Sequence, residues 1–131
     1  MLFVCVHNAG RSRMAEAFFN DLARGRYRAA SAGTLPSDHP HPEVVEAMSE
    51  IGVEIADAPG ALLTEELAGR ATRVVTMGCS VEDACPALEV DVEDWALEDP
   101  KGQTVEKVAE IRDAIELRVR NLIGRLDRHD D

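Results

Sequence analysis

A five-residue apolar run, Leu2-Phe3-Val4-Cys5-Val6, stands at the head of the chain and passes directly into a polar turn. A run this short and this continuously apolar fits a strand buried on both faces, the pattern of parallel sheets. The turn is His7-Asn8-Ala9-Gly10, and Ser12 is of the type that caps a helix. Met14, Ala15, Phe18, Phe19 and Leu22 then return at helical spacing, and Gly25 ends that stretch. Strand, turn and helix in that order begin a βαβ unit, and the rest of the chain repeats the alternation.

Tyr27–Ala32 reads as a second strand, turned by Gly33. The segment 35–42 holds three prolines and is expected to be an irregular loop. Pro42 suits a first helical turn; Val44, Val45, Met48 and Ile51 supply an apolar face, and Gly52 stops the helix. Val53 and Ile55 suggest a short extended piece. Thr64 caps a short helix through Leu67, and Arg73–Met77 is a third strand. A turn segment, Gly78–Pro86, follows, then an acidic stretch with a short strand near Val90–Val92. Thr104 caps the longest helix, in which Val108, Ile111, Ile115, Val119, Leu122 and Leu126 step by 3 and 4 along one face.

This order predicts one α/β domain over residues 1–131. It has a central parallel sheet of about four strands, with helices on both faces. Ligands in such sheets bind at the carboxyl ends of strands. Cys5 and the Gly78–Pro86 segment both fall there. No repeat, low-complexity tract or linker divides the chain.

Composition narrows the class. The 14 Lys and Arg against 25 Asp and Glu leave a formal charge of −11. Nucleic-acid and anionic-membrane binding need basic surface, so neither is expected. Three cysteines are an odd and low number for a secreted disulfide framework. Met1–Val6 lacks a basic leader region and meets polar His7 early, so no signal peptide is expected. No apolar run approaches the roughly 20 residues of a membrane helix. The expectation is a cytoplasmic monomer with reduced thiols.

The segment Cys5-Val6-His7-Asn8-Ala9-Gly10-Arg11-Ser12 carries the chemistry. A loop from a strand end to a helix start can turn successive N–H groups into one concavity, an anion nest reinforced by the helix N-terminus. Gly10 permits close approach of backbone to ligand, and Asn8 tolerates a left-handed turn. Arg11 can grip a tetrahedral oxyanion with two donors. The same field favours a Cys5 thiolate, so a nucleophile faces a bound oxyanion. Ser12 either donates to that thiolate or only caps the helix. The blander reading is a buried strand-end cysteine beside a surface arginine.

Cys79 and Cys85 stand five residues apart. On a regular helix their Cα atoms would be about 9 Å apart, beyond the ~7 Å that a disulfide allows. A bond between them therefore needs a looped or unwound segment, and the spacing is equally compatible with two unrelated packing cysteines. A zinc site finds no tight cysteine pair here, and no metal or other cofactor is expected. His39 and His41 read as solvated, Tyr27 as packing and Trp95 as a loop anchor. Asp99 sits in an acidic, solvated stretch.

The chain resembles the low-molecular-weight tyrosine phosphatase superfamily and, within it, the arsenate reductases. The resemblance spans nearly the whole sequence. It is carried by Val4-Cys5 to Met14-Ala15-Glu16, Ser31-Ala32-Gly33, Arg73-Val74-Val75-Thr76-Met77-Gly78-Cys79, Cys85-Pro86, and Trp95 with Leu97-Glu98-Asp99-Pro100. It implies that Val6, His7, Asn8, Ala9, Gly10, Arg11 and Ser12 hold arsenate or phosphate over Cys5. It implies a relay in which Cys5 attacks arsenic, Cys79 attacks Cys5 and Cys85 attacks Cys79. Thioredoxin would then reduce the Cys79–Cys85 disulfide, the thioredoxin-coupled members being the most similar. Asp99 before Pro100 matches the family's acid. Asn8, Glu16 and Ser31 match a potassium site of some relatives, whose fourth ligand falls near Ala61 here.

Two departures stand out. Gly10 occupies a place that is cysteine in some relatives, and the late pair is one residue closer than in some thioredoxin-coupled members. Relatives that use mycothiol or glutathione with a glutaredoxin-type protein keep the electron donor open. A phosphatase using Cys5, Arg11 and Asp99 and a non-catalytic oxyanion or redox sensor are the competing readings. The late cysteine pair has no use in a phosphatase.

Overall fold

A computed structural model describes residues 1–5, 7–55, 57–71, 73–77, 91–95, 97, 100 and 102–129. Val6, Cys79, Cys85 and Asp99 lie outside the described residues. The elements are β1 (Leu2–Cys5), α1 (Arg11–Ala23), β2 (Ala30–Gly33), α2 (Pro42–Ser49), α3 (Glu65–Arg70), β3 (Arg73–Thr76), β4 (Asp91–Asp94) and α4 (Val105–His129).

The four strands form one sheet in the order β2-β1-β3-β4, and every neighbouring pair is parallel. Because β2 lies on one side of β1 and β3 on the other, strand order reverses at β1. That is the place where open α/β sheets form ligand crevices. In β1 all four residues are buried, as the apolar run requires. Alternate side chains serve opposite faces. Phe3 and Cys5 join the large core with α1, α2 and α4. Leu2 and Val4 join Ala32 and Val74 in a smaller one that Leu63, Leu67 and Ala71 cover. The expected helices on both faces are present, although the two layers differ greatly in size.

Several local expectations shift. The first helix starts at Arg11 with Gly10 as its N-cap, so Ser12 is inside the first turn and does not cap it. Its C-cap, Arg24, takes a left-handed conformation just before Gly25. The second strand begins at Ala30 rather than Tyr27. The fourth strand spans Asp91–Asp94, later than the expected Val90–Val92, and Val53 and Ile55 join no strand. Pro42 does begin α2. The hydroxyls of Thr64 and Thr104 accept the N–H groups of Leu67 and Lys107 at the starts of α3 and α4. Trp95 packs against Phe3 with ring centroids 5.7 Å apart, deep in the large core. Among the described residues, no helix is long and apolar enough to cross a membrane.

Candidate active site

Cys5 is the last residue of β1. It pairs in register with Gly33 of β2, and Met77 donates its N–H to the carbonyl of Val4 at 2.8 Å. The loop that follows is locked from outside through its carbonyls. The carbonyl of His7 accepts from Ser37 N–H (2.9 Å) and that of Ala9 from His41 N–H (2.8 Å). The carbonyl of Asn8 accepts from Arg13 Nε at 2.7 Å, and that of Gly10 takes Met14 N–H inside the helix at 3.0 Å. In a trans peptide the N–H points opposite to the carbonyl. With these carbonyls engaged, the N–H group of each of these peptides lies on the side away from its carbonyl's partner. The loop backbone is thus held by its neighbours and not only by glycine.

A chain of polar groups ends at the Cys5 sulfur. Ala61 N–H donates to Asn8 Oδ1 at 2.9 Å, which fixes the amide with its nitrogen toward Ser12. Asn8 Nδ2 then donates to Ser12 Oγ at 2.8 Å. Ser12 Oγ lies 2.9 Å from Cys5 Sγ. When Cys5 is ionised, only the hydroxyl has a proton to give, so it becomes a charge-assisted donor to the thiolate. Of the two sequence readings of Ser12, the structure supports this contact. Asn8, Ser12 and Cys5 are all buried. Asn8 has a φ of 49°, in the left-handed region that asparagine tolerates.

Arg11 is buried beside them, and its Nη1 donates to the carbonyl of Leu97 at 3.1 Å. A methyl group placed on Gly10 would lie 2.8 Å from Cγ of Pro100. The described residues on either side of Asp99 therefore both touch the loop.

Residues 1–131 match the low molecular weight phosphotyrosine protein phosphatase family. The chain belongs to that family. A Halobacterium salinarum protein named "Putative arsenate reductase" is 45% identical over 134 residues, covering 98% of this chain and 93% of its own. The "Glutaredoxin arsenate reductase" of a Synechocystis species is 34% identical over 128 residues, with 96% and 97% coverage. The structure of a thioredoxin-dependent arsenate reductase from Corynebacterium glutamicum is similar at a TM-score of 0.83 and 39% identity. That likeness covers 98% of this chain, which spans only 61% of the longer one.

In this family member, three parts of the site escape sequence pattern. Arg13 donates to Asn8 through Nε and to the carbonyl of Ala58 through Nη2 (2.5 Å), tying the loop to residues 58–61. The segment Ala58-Pro59-Gly60-Ala61 forms the floor under Asn8; its Pro-Gly pair signals a turn but not its destination. His41 is not simply solvated, as the sequence suggests. It is the N-cap of α2 and faces His7 edge-on. His39 does lie exposed, 2.9 Å from Asp57.

The potassium ligands that the resemblance implies are engaged with protein groups. Ser31 donates to Glu16 at 2.8 Å, and Asn8 Oδ1 accepts from the backbone of Ala61. At Ala61, near which the fourth ligand would fall, the peptide N–H bonds to Asn8. Among the described residues, no group of three or more His, Cys, Asp or Glu is placed to hold a metal.

Proposed function

We propose that this protein is a cytoplasmic arsenate reductase working through a cysteine relay. The observation that carries the reading is the Cys5 sulfur at 2.9 Å from the Ser12 hydroxyl, with Arg11 buried beside them. Arsenate docks there as a tetrahedral anion. The protein's charge of −11 repels an anion at long range, so capture rests on Arg11 and the loop amides. The Cys5 thiolate attacks arsenic and one oxygen departs as water, with Asp99 as the acid that protonates it.

The Cys79 thiolate then attacks the Cys5 sulfur. The Cys5–As electron pair goes to arsenic, arsenite leaves, and a Cys5–Cys79 disulfide holds the two oxidised sulfurs. Cys85 attacks Cys79 and frees Cys5. Chain connectivity supports this order. Met77 bonds to β1 next to Cys5, and Cys79 follows within roughly 7 Å of chain. A protein dithiol such as thioredoxin, or a small thiol with a glutaredoxin-type protein, returns the enzyme to its reduced state. Both couplings appear in the names of the relatives.

The phosphatase reading uses the same loop, with Cys5 attacking phosphorus and Asp99 protonating the leaving oxygen. Family membership favours residual activity of that kind. The test is arsenate-dependent NADPH oxidation with thioredoxin and its reductase, run beside mycothiol and glutathione systems. Cys5→Ser is expected to lose all arsenate and phosphate-ester turnover; retained arsenate turnover sinks the assignment. Cys85→Ser is expected to stop after one turnover with Cys5 linked to Cys79. Repeated turnover by that variant favours the small-thiol route instead.

A further inference from the structure

Two imidazole rings line the mouth of the loop, and the relay uses neither. His7 Nδ1 lies 3.1 Å from the carbonyl oxygen of Leu35. A carbonyl only accepts, so Nδ1 carries the proton, and Nε2 is the ring's second polar atom. His41 is held by its backbone N–H on Ala9. The ring centroids of His7 and His41 are 6.4 Å apart, with the planes at 76°. Together with Cys5, Gly10 and Arg11 they enclose a cavity of about 10 Å³. That is near the volume that one water needs. A methyl on Gly10 would lie 3.2 Å from His41 Cδ2, so the ring sits directly on the loop backbone.

We propose that His41, with His7, forms a lip that selects inorganic oxyanions over organic phosphate esters. The lip would hydrogen-bond the outward oxygen of the anion seated over Cys5. A tetrahedral anion in the nest gives some of its oxygens to the loop N–H groups and Arg11, and one must face the mouth. In arsenate or phosphate that atom is an oxygen to which a His41 ring N–H can donate, or an anion hydroxyl from which His7 Nε2 can accept. In an ester it carries carbon, which has to pass between two rings around a narrow opening. The proposal takes the anion loop from the reading above and adds which anions enter it.

The His41 ring can be changed without removing a helix cap. Val44 and Val45 bond to the backbone carbonyl of His41 at 3.0 and 3.1 Å, and its side chain makes no capping bond. The test measures calorimetric binding of inorganic phosphate and phenyl phosphate in a Cys5→Ser background, where no turnover intervenes. The parent is expected to favour inorganic phosphate. His41→Ala is expected to weaken inorganic phosphate about tenfold, the order of one lost charge-assisted hydrogen bond. It should also strengthen phenyl phosphate.

His41→Gln keeps an N–H donor and is expected to retain most of the inorganic phosphate affinity. His7→Ala is expected to shift the preference in the same direction as His41→Ala. These two variants decide the matter if His41→Ala does not fold. An unchanged ratio, or an equal loss for both ligands, overturns the lip and leaves the anion loop standing. Failure of the parent to bind either ligand overturns both.

Discussion

At the Cys5 end of the sheet, several ties between segments end on backbone carbonyls. Arg11 donates to the carbonyl of Leu97, and Arg13 to those of Asn8 and Ala58. Asn8 joins Ala61 to Ser12 without any charge. Away from the site, where α4 finishes, the ties are ion pairs. Arg125 makes two bonds of 3.0 Å to Glu93, and Arg26 lies 2.6 Å from Asp127. A carbonyl orients a guanidinium without cancelling its charge; a carboxylate does both. The carbonyls at the site orient its guanidinium groups, whereas the far end uses charge for closure.

The strongest way to break that contrast is to put a charge into the neutral chain. Asn8→Asp keeps an acceptor for Ala61 N–H and tolerates the left-handed backbone. It loses the donor to Ser12 and adds a negative charge beside the anion loop. Arsenate turnover is expected to fall roughly 10- to 100-fold, the scale of one charge-assisted hydrogen bond at about 1.5–3 kcal/mol. The melting temperature should move little. Near-normal kcat/KM in Asn8→Asp would show that neutrality at this position is irrelevant.

Next is the floor under Asn8. A methyl on Gly60 would lie 3.0 Å from Cβ of Pro36 and 3.1 Å from both Cβ of Asn8 and the carbonyl oxygen of His7. Gly60→Ala therefore wedges the floor away from the loop, and overpacking of this kind costs about 1–3 kcal/mol. Gly69, inside α3, has nothing within 4 Å of such a methyl. Gly69→Ala is expected to stabilise the protein by up to about 1 kcal/mol. Thermal melts and arsenate assays of the pair check this. Equal behaviour would mean that the loop is not held by its floor.

The same contrast separates what is legible in the amino-acid order from what is not. The βα alternation is legible because β1 is apolar throughout and α4 keeps its apolar step from Val108 to Leu122. The Cys5–Ser12 loop is legible because its residues are adjacent in sequence. Arg13 on Ala58, Ala61 on Asn8 and His41 on Ala9 are not. Each joins residues about 30 to 50 positions apart through backbone groups, which leave no residue-type signature. Ser12 is legible only as a choice of two roles: serine is a good cap, but Gly10 holds that place and the hydroxyl takes the other role, beside the Cys5 sulfur. His41 misleads because a proline-rich loop reads as solvated until its partner surface is known.

The smallest effect belongs to the far end and is set by pH. Arg125 holds the Glu93 carboxyl below its ordinary range, helped by the Trp95 ring N–H. A carboxyl with a lowered folded-state pKa stabilises fully above its unfolded pKa, about 4.5. That contribution is lost as pH falls through the lowered value. Both side chains are partly exposed, so solvent screening limits the pair to about 1 kcal/mol. Urea melts of Glu93→Gln at pH 7 should show a deficit of that size, shrinking as the pH falls through the lowered Glu93 value. Arsenate turnover at pH 7 should match the parent, since no tie of the loop runs through Glu93 among the described residues. A drop in turnover without a matching loss of stability would show that the ion-paired end and the neutral end are coupled through β4 and Trp95, whose N–H bonds to Thr76 at 2.7 Å beside the strand that leads to Cys79.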